Sequence, residues 1–248
     1  IGFLDHDDLL SQDCLYEVAK TINKIKNVDF IYTDEDKIDE DGERFEPYFK
    51  PDFSPETLEC NNYITHFVVV KKDLLKKVGV LNSKFNGAQD FDFVLRATEK
   101  ANKIIHISKI LYHWRVHKSS TANVADAKPY AYEAGIKVIE EHLKRTGKKA
   151  EVQYGQDVPG IYKVKFEVKG NPKVSILIPN KDNINLLKNC IDSIVKNTSY
   201  QNYEIAIIEN NSNQKETFEY YKEASQNPKI KILEYNINKE FNYSSLIN

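Results

Sequence analysis

Apolar residues in the first part of the chain form short runs separated by a helix-like repeat. Residues 1–4 are an apolar run that predicts a buried strand ending at Asp5, and residues 29–33 and 104–111 predict two further strands. Apolar positions within residues 15–25 recur at three- and four-residue spacing, as on one face of an amphipathic helix. The pattern therefore predicts alternating strands and helices in this part of the chain.

The middle of the chain has a different pattern. A dense acidic run at residues 34–36 follows the second predicted strand and predicts a solvated loop. Further on, Pro129 is suited to begin a helix, and residues 162–168 alternate between apolar and polar positions, which is typical of a half-buried strand. We expect residues 118–171 to form a connector that contains this helix and this strand.

A second run of strands and helices begins near residue 174. Apolar strands are predicted at residues 175–179 and 203–208, with a helix at about 186–196 between them. Strands that are apolar throughout are typical of a parallel sheet that is covered on both faces. The sequence therefore predicts an α/β fold with a mostly parallel, Rossmann-type sheet and helices on both faces.

Composition narrows the class of protein. The length of 248 residues is sufficient for a sizeable core, and the formal net charge of −2 with no basic face argues against a nucleic-acid partner. Three scattered cysteines indicate a reducing compartment, so we expect a cytoplasmic protein. A longer parent protein could hold it at the inner face of the plasma membrane. No apolar run approaches about 18 residues, so no transmembrane segment is predicted. The absence of methionine fits an internal fragment.

Asp5 and Asp7 follow the first predicted strand and would point into one small volume. Two carboxylates this close raise each other's pKa unless a cation or a proton lies between them. Oxygen ligands suit Mg²⁺ or Mn²⁺, so a divalent metal is the favoured interpretation. The alternative is a capping cluster, in which Asp7 or Asp8 caps the following helix and the remaining carboxylates are solvated.

The order of the motifs resembles a known family. The segments V-S-I-L-I-P-N-K-D-N and E-I-A-I-I-E-N-N-S, in residues 172–248, resemble the start of a family 2 glycosyltransferase domain of GT-A fold. The segments F-L-D-H-D-D-L-L, G-A-Q-D-F-D-F and Y-H-W-R-V-H-K-S-S-T-A, in residues 1–117, resemble later motifs of that family. The resemblance implies the later half of one domain followed by the opening half of a second, as in bacterial tandem enzymes of surface-polysaccharide synthesis.

The resemblance implies a donor and metal site in residues 1–117. Asp5 and Asp7 match positions that contact the ribose and the metal that bridges the donor diphosphate, and His117 would complete the metal shell. Arg115 and Ser119 would contact the diphosphate. Mn²⁺ or Mg²⁺ would neutralise the charge that develops on the departing diphosphate. His66, by contrast, is expected to be structural.

Asp90 matches the general base of the family. In the family this aspartate most often follows a glutamate, which Gln89 replaces here. An inverting transfer needs a carboxylate on the face of the sugar opposite the leaving group, where it takes the proton of the acceptor hydroxyl. Asp92 is the second candidate for this role. An aspartate in the first turn of a helix is also common without any catalytic role.

The resemblance also implies a nucleotide site in residues 172–248. Two polar segments follow the predicted strands at the edge of the sheet where parallel α/β sheets bind ligands. The candidate contacts to the nucleotide base are Pro179, Asn180, Asp182, Asn210 and Asn211. Asparagine replaces the aspartate that reads the base in the family. The alternative is ordinary turn chemistry, which the same residue types favour.

The implied activity is inverting transfer of a sugar from a UDP- or dTDP-linked donor to a glycan or lipid-linked saccharide. The two halves of the chain are expected to complement each other, either within one chain as a permuted fold or between chains as a domain-swapped homodimer, because a half sheet exposes its edge. Two alternatives remain open. One is a phosphatase of the haloacid-dehalogenase type, with Asp5 as nucleophile and Asp7 as acid. The other is a non-catalytic fragment that binds nucleotide.

Overall fold

The computed structural model describes residues 1–116, 129–155, 160–235 and 242–244. The chain divides into two compact units, Ile1–Glu167 and Val168–Asn248. The described part of the predicted connector, including its helix and strand, belongs largely to the first unit. Within the described ranges, none of the helices is both long enough and apolar enough to cross a membrane.

The first unit is an α/β unit built around one mixed sheet and a separate hairpin. Its strands and helices, in chain order, are β1 (Leu9–Leu10), α1 (Cys14–Lys24), β2 (Phe30–Ile38), β3 (Arg44–Tyr48), α2 (Pro55–Cys60), β4 (Val68–Val70), α3 (Lys72–Val78), α4 (Gln89–Lys100), β5 (Ile104–Arg115), α5 (Pro129–Thr146), β6 (Ala150–Tyr154) and β7 (Tyr162–Phe166).

Strand β2 lies in the centre of this sheet. It pairs in parallel with β5 along one side, while β4 and then β3 pair antiparallel along the other side. Strand β1 pairs antiparallel with the end of β5. The predicted parallel pairing thus holds for the two longest strands, and shorter antiparallel strands extend the sheet.

Residues 1–4 do not form the predicted buried strand. The Phe3 amide donates to the Val68 carbonyl at 3.1 Å, and the Val70 amide donates to the Ile1 carbonyl at 2.8 Å, so this segment runs along the edge of β4. Ile1 and Leu4 are 52% and 51% exposed, because an edge position covers only one side of the segment. The segment is therefore an exposed edge segment and not the predicted buried strand.

The acidic run at residues 34–36 is a buried part of β2, so the predicted solvated loop is wrong. Strand β2 continues through these residues because it has paired strands on both sides. Buried carboxylates need partners, and histidines from neighbouring segments supply them. The pairs are Asp34 with His106 at 2.8 Å, Glu35 with His66 at 3.2 Å and Asp36 with His113 at 2.5 Å.

Helix α5 packs into the main core of the first unit. The helix begins at Pro129, as predicted, and its inner face includes Ile139, which is fully buried, and Leu143, which is 3% exposed. The same core contains Phe30 and Tyr32 of β2 and Leu95 of α4. Strand β6 was not predicted, although its partly buried and exposed residues alternate as in a half-buried strand.

The second unit is a three-stranded parallel sheet with two helices, as the sequence predicts. Its strand order is β10-β9-β8, and both neighbouring pairs are parallel. Apolar residues of the central strand, such as Ile205 and Ile207, pack against Leu187 and Ile191 of the first helix. The elements are β8 (Val174–Asn180), α6 (Ile184–Asn197), β9 (Tyr203–Glu209), α7 (Lys215–Ala224) and β10 (Ile230–Glu234).

Candidate functional site

A cavity of about 370 Å³ opens in the first unit at the beginning of α4. Its lining includes Asp5, His66 and Asp90, together with Gln89 and the apolar side chain of Phe93. The structure therefore brings the predicted base and one predicted metal ligand to the same cavity, although they are far apart in sequence. We call this the Asp90 cavity.

Asp5, Asp8 and His66 form a group that could hold a metal ion. Their ligand atoms all lie within 4.8 Å of one another. The Asp8 amide donates to the Asp5 carbonyl at 3.3 Å, so residues 5–8 form a turn. In an extended strand residues i and i+2 share a face, whereas such a turn brings i and i+3 together. The turn thus explains why Asp8 joins this group, and among the described residues Asp7 is not part of it.

Tyr112 holds the two carboxylate-bearing residues in place. Its hydroxyl donates a short hydrogen bond to Asp8 Oδ2, and the Asp5 amide donates to the same hydroxyl at 3.4 Å. Burial raises the pKa of Tyr112, so the hydroxyl keeps its proton. The Arg115 amide donates to Asp8 Oδ1 at 2.8 Å. The His66 ring stacks on the Tyr112 ring with centroids 4.6 Å apart, so Tyr112 contacts all three members of the group.

A buried ion pair orients His66. Glu35 Oε2 lies 3.2 Å from His66 Nδ1 and accepts a hydrogen bond from the His66 amide at 3.1 Å. The fully buried Lys50 ammonium lies 2.9 Å from the same Glu35 oxygen and also donates to the His66 carbonyl. With a hydrogen bond to the carboxylate at Nδ1, the lone pair of His66 is left at Nε2, which is a common arrangement behind a metal-binding imidazole.

The pKa values of this network follow from burial and charge. Burial would raise the pKa of Glu35, but hydrogen bonding by His66 and the charge of Lys50 lower it to about 2. Burial lowers the pKa of Lys50, and the charge of Glu35 opposes that shift. Glu35 is therefore an anion at neutral pH, which makes it a strong acceptor for the imidazole.

The structure distinguishes Asp90 from Asp92. Asp90 lies in the first turn of α4 with an exposed side chain, and Asn62 Nδ2 donates to its Oδ2 at 3.0 Å. Asp92 is 1% exposed and forms an ion pair with Arg96 at 2.7 Å. A base must reach an acceptor hydroxyl, so the geometry favours Asp90. The Gln89 side chain, which also lines the cavity, is held in place because its Oε1 accepts a hydrogen bond from the Gly87 amide at 2.7 Å.

Arg115, a predicted diphosphate contact, holds neighbouring backbone. Its Nε donates to the Asp7 carbonyl at 2.7 Å, and one terminal nitrogen donates to the Asp39 carbonyl at 3.2 Å. These bonds fix the turn that carries the aspartates. Ser119, the other predicted diphosphate contact, and His117, a predicted metal ligand, lie outside the described residues.

In the second unit, two of the predicted nucleotide contacts also support the fold. Asp182 Oδ1 accepts hydrogen bonds from the Gln214 amide at 2.9 Å and the Asn213 amide at 3.0 Å, at the start of α7. These bonds lower the pKa of Asp182. The buried Asn180 donates to the Tyr221 hydroxyl at 2.7 Å. Both side chains thus connect the ends of the strands to α7.

The remaining predicted nucleotide contacts lie at the same edge of the second unit. Asn210 and Pro179 are half-buried and Asn211 is exposed. Asn211 has a φ of 57°, in the left-handed region that asparagine tolerates better than most residues. The backbone of Asn210 donates to the Asn180 carbonyl at 2.9 Å, which keeps the two segments side by side.

From the sequence, His66 is expected to be structural and Asp8 is only a candidate helix cap, so neither is predicted as a member of this group. No recognisable motif surrounds His66, and its partner Glu35 lies 31 residues earlier in a segment predicted to be a loop. Nothing local in the sequence marks this pair. The available signal was the acidic run itself, because three consecutive acidic residues after an apolar strand need either solvent or cationic partners.

Known proteins resemble both units of the chain. Residues 175–243 match the family model described as Glycosyl transferase family 2. The uncharacterized protein y4gI of Sinorhizobium fredii is 40% identical over 252 residues, which cover 100% of this chain and 27% of that protein. The O-antigen biosynthesis protein RfbC of Myxococcus xanthus is 40% identical over 218 residues, 88% of this chain and 17% of that protein.

A third relative, the chondroitin synthase of Pasteurella multocida, is 30% identical over 123 residues, 49% of this chain and 13% of that protein. The chain spans 27% or less of the length of these three curated relatives. The family match covers most of the second unit, and the similarity to the first relative extends through the first unit. The match assigns residues 175–243 to glycosyl transferase family 2, and the GT-A-like α/β fold of the chain agrees with that family.

Proposed function

We propose that the chain is part of an inverting glycosyltransferase that moves a sugar from a UDP- or dTDP-linked donor to a growing glycan. The observation that carries this proposal is the Asp90 cavity, whose lining contains Asp90 together with Asp5 and His66. Asp5 and His66 are two members of the metal-binding group, the name used here for Asp5, Asp8 and His66. A carboxylate base and a site for diphosphate charge are the two parts that such a transfer requires. This combination favours sugar transfer over the phosphatase alternative, in which Asp5 would be the nucleophile and Asp7 the acid.

Asp5, Asp8 and His66 would hold the metal ion. Two carboxylates and one imidazole suit Mn²⁺ better than Mg²⁺, which prefers oxygen ligands throughout. A bound ion would neutralise negative charge on the diphosphate as it leaves the sugar. Burial lowers the pKa of His66, but the hydrogen bond to Glu35 outweighs burial and raises that pKa, so a metal ion would compete with a proton for the imidazole.

Asp90 would act as the base. Its carboxylate takes the proton of the acceptor hydroxyl while the hydroxyl oxygen attacks the anomeric carbon from the face opposite the diphosphate. Asn62, which donates to one Asp90 oxygen, leaves the other oxygen to meet the hydroxyl.

The second unit would supply the nucleotide contacts. Asn210, Asn211 and Pro179 would contact the base, while Asp182 and Asn180 would keep their loops in position through α7. The acceptor class follows from the relatives, since one is named for O-antigen biosynthesis and another is named a chondroitin synthase. Both names refer to polysaccharides, so the proposed acceptor is a polysaccharide chain or its lipid-linked precursor.

Thermal unfolding of the chain with UDP- and dTDP-sugars tests this proposal. Saturation to about one hundred times the Kd stabilises a protein by about 2.7 kcal/mol, so a donor should raise the Tm by several degrees with Mn²⁺ and less without it. The increase should disappear in the Asp5→Asn/Asp8→Asn double variant. It should persist in Asp41→Asn, a change at an exposed turn. Equal stabilisation in the wild type and the double variant would refute the metal assignment.

A further inference from the structure

A second cavity of about 350 Å³ lies in the first unit between β2, β3 and the end of β5. Its lining includes Trp114, Tyr48 and Pro47, with the charged side chains of Lys37 and Glu46. We call it the Trp114 cavity. We propose that it binds a neutral saccharide unit of the acceptor glycan, an inference that rests on the proposed transferase function.

The aromatic lining suits a sugar ring. Tyr48 is 39% exposed, and Trp114 is half-buried, so both rings combine solvent access with a fixed position. Aromatic side chains offer large rigid apolar surfaces, and binding sites combine such surfaces with a few polar groups that fix orientation. A pyranose presents the matching chemistry, with C–H groups on its faces and hydroxyls around its rim.

The charges around the cavity argue for a neutral ligand. Each acidic side chain in its lining already has a cationic or histidine partner. Glu46 pairs with Lys37 at 2.5 Å, and Asp36 pairs with Arg44 at 2.7 Å and with His113. A cationic ligand would have to compete with these partners. Hydroxyl groups need only the lone pairs and N–H groups that the ion pairs leave unused.

An irregular strand pairing makes room for the cavity. The register between β2 and β3 shifts between Glu35 and Lys37, and Glu46 has a φ of 46°, in the left-handed region. Pro47, the next residue, has no amide proton to donate to β2. β-Bulges of this kind are frequent next to functional sites, where they redirect side chains.

The Trp114 cavity adjoins the metal-binding group. The Trp114 and His66 ring centroids are 6.1 Å apart, and Glu35, which accepts from His66, also lines the Trp114 cavity. A glycan held by Trp114 and Tyr48 would therefore lie next to the site of transfer. This position suits a unit of the acceptor chain rather than a ligand unrelated to the reaction.

The chain contains one tryptophan, so its intrinsic fluorescence reports on this cavity. The wild type is titrated with maltotriose, cellotriose and chitotriose without nucleotide or Mn²⁺, and with choline as a cationic probe. We expect a saturable fluorescence change with at least one trisaccharide at millimolar concentration. Tyr48→Ala should weaken that binding about five- to tenfold, as expected for the loss of one aromatic contact. Phe49→Ala, at a neighbouring aromatic residue that is 69% exposed, should leave it unchanged.

Each outcome decides the proposal. It would be overturned if no trisaccharide changed the fluorescence, if choline alone gave a saturable change, or if Tyr48→Ala and Phe49→Ala had equal effects on binding. Because the titration omits donor and metal, it is independent of the transfer reaction. Saccharide binding without stabilisation by a donor would support this saccharide site and refute the transferase proposal. Stabilisation by a donor without saccharide binding would support the transferase proposal and refute this saccharide site.

Discussion

The Asp90→Asn variant is expected to transfer sugar about 10²- to 10⁴-fold more slowly than the wild type, the range that a positioned general base contributes. The amide has nearly the same shape as the carboxylate but cannot take the hydroxyl proton. Asp90 is exposed, so the change should leave the free energy of unfolding nearly unaltered. Release of nucleoside diphosphate in the presence of a saccharide acceptor measures the rate.

Asp92→Asn is the matched control for this variant. It lies two residues further along α4, but its carboxylate is buried against Arg96 at 2.7 Å. The change should destabilise the first unit by leaving the guanidinium with a weaker partner, while molecules that remain folded should retain their base. Undiminished transfer by Asp90→Asn, or a larger catalytic loss in folded Asp92→Asn, would show that Asp90 is not the base.

Lys50→Met is expected to lower the free energy of unfolding of the first unit by about 3–5 kcal/mol, the usual effect of removing one partner of a buried ion pair. The Lys50 ammonium is fully buried and also donates to the Ile64 carbonyl at 2.7 Å. Methionine fills a similar volume but leaves the Glu35 carboxylate without its cation. Urea unfolding followed by Trp114 fluorescence measures the loss in this unit.

Two further variants test whether the loss of stability in Lys50→Met comes from the unpaired buried charge. Lys84→Met removes an ion pair with Glu141 whose side chains are 62% and 40% exposed, and it should cost at most about 1 kcal/mol. The Glu35→Gln/Lys50→Met double variant should recover part of the stability lost in Lys50→Met, because the unpaired charge is gone. Equal losses in Lys50→Met and Lys84→Met would mean that the Glu35–Lys50 pair does not stabilise the unit.

Local patterning predicted the second unit better than the first. Strand β9 and helix α6 have the expected boundaries to within a few residues, because continuous apolar strands and a helical repeat are local signals. The fate of Asp34 and Asp36 is not a local property. Their histidine partners lie 72 and 77 residues further along the chain, so burial of the acidic run depends on strand pairing that no short window records.

Some residues of the candidate site could likewise be predicted from the sequence, and others could not. Asp5 and Asp90 could be selected from motif order, and the structure places both at one cavity. The partner of Asp5 depended on whether the backbone was extended or turned at residues 5–8. An extended backbone would have selected Asp7, whereas the observed turn selects Asp8 and aligns it with His66. Backbone conformation, which the motif letters do not encode, therefore determines which residues form the candidate metal-binding group.

The most direct test of the account is a Mn²⁺ titration of the chain, with free Mn²⁺ measured by electron paramagnetic resonance. The proposed site predicts that Asp8→Asn and His66→Ala each weaken binding at least about tenfold, and that Asp7→Asn binds like the wild type. Asp41→Asn, at the exposed turn, controls for loss of general negative charge. Loss of binding in Asp7→Asn with full binding in Asp8→Asn would contradict the assignment of Asp5, Asp8 and His66 as the metal-binding group.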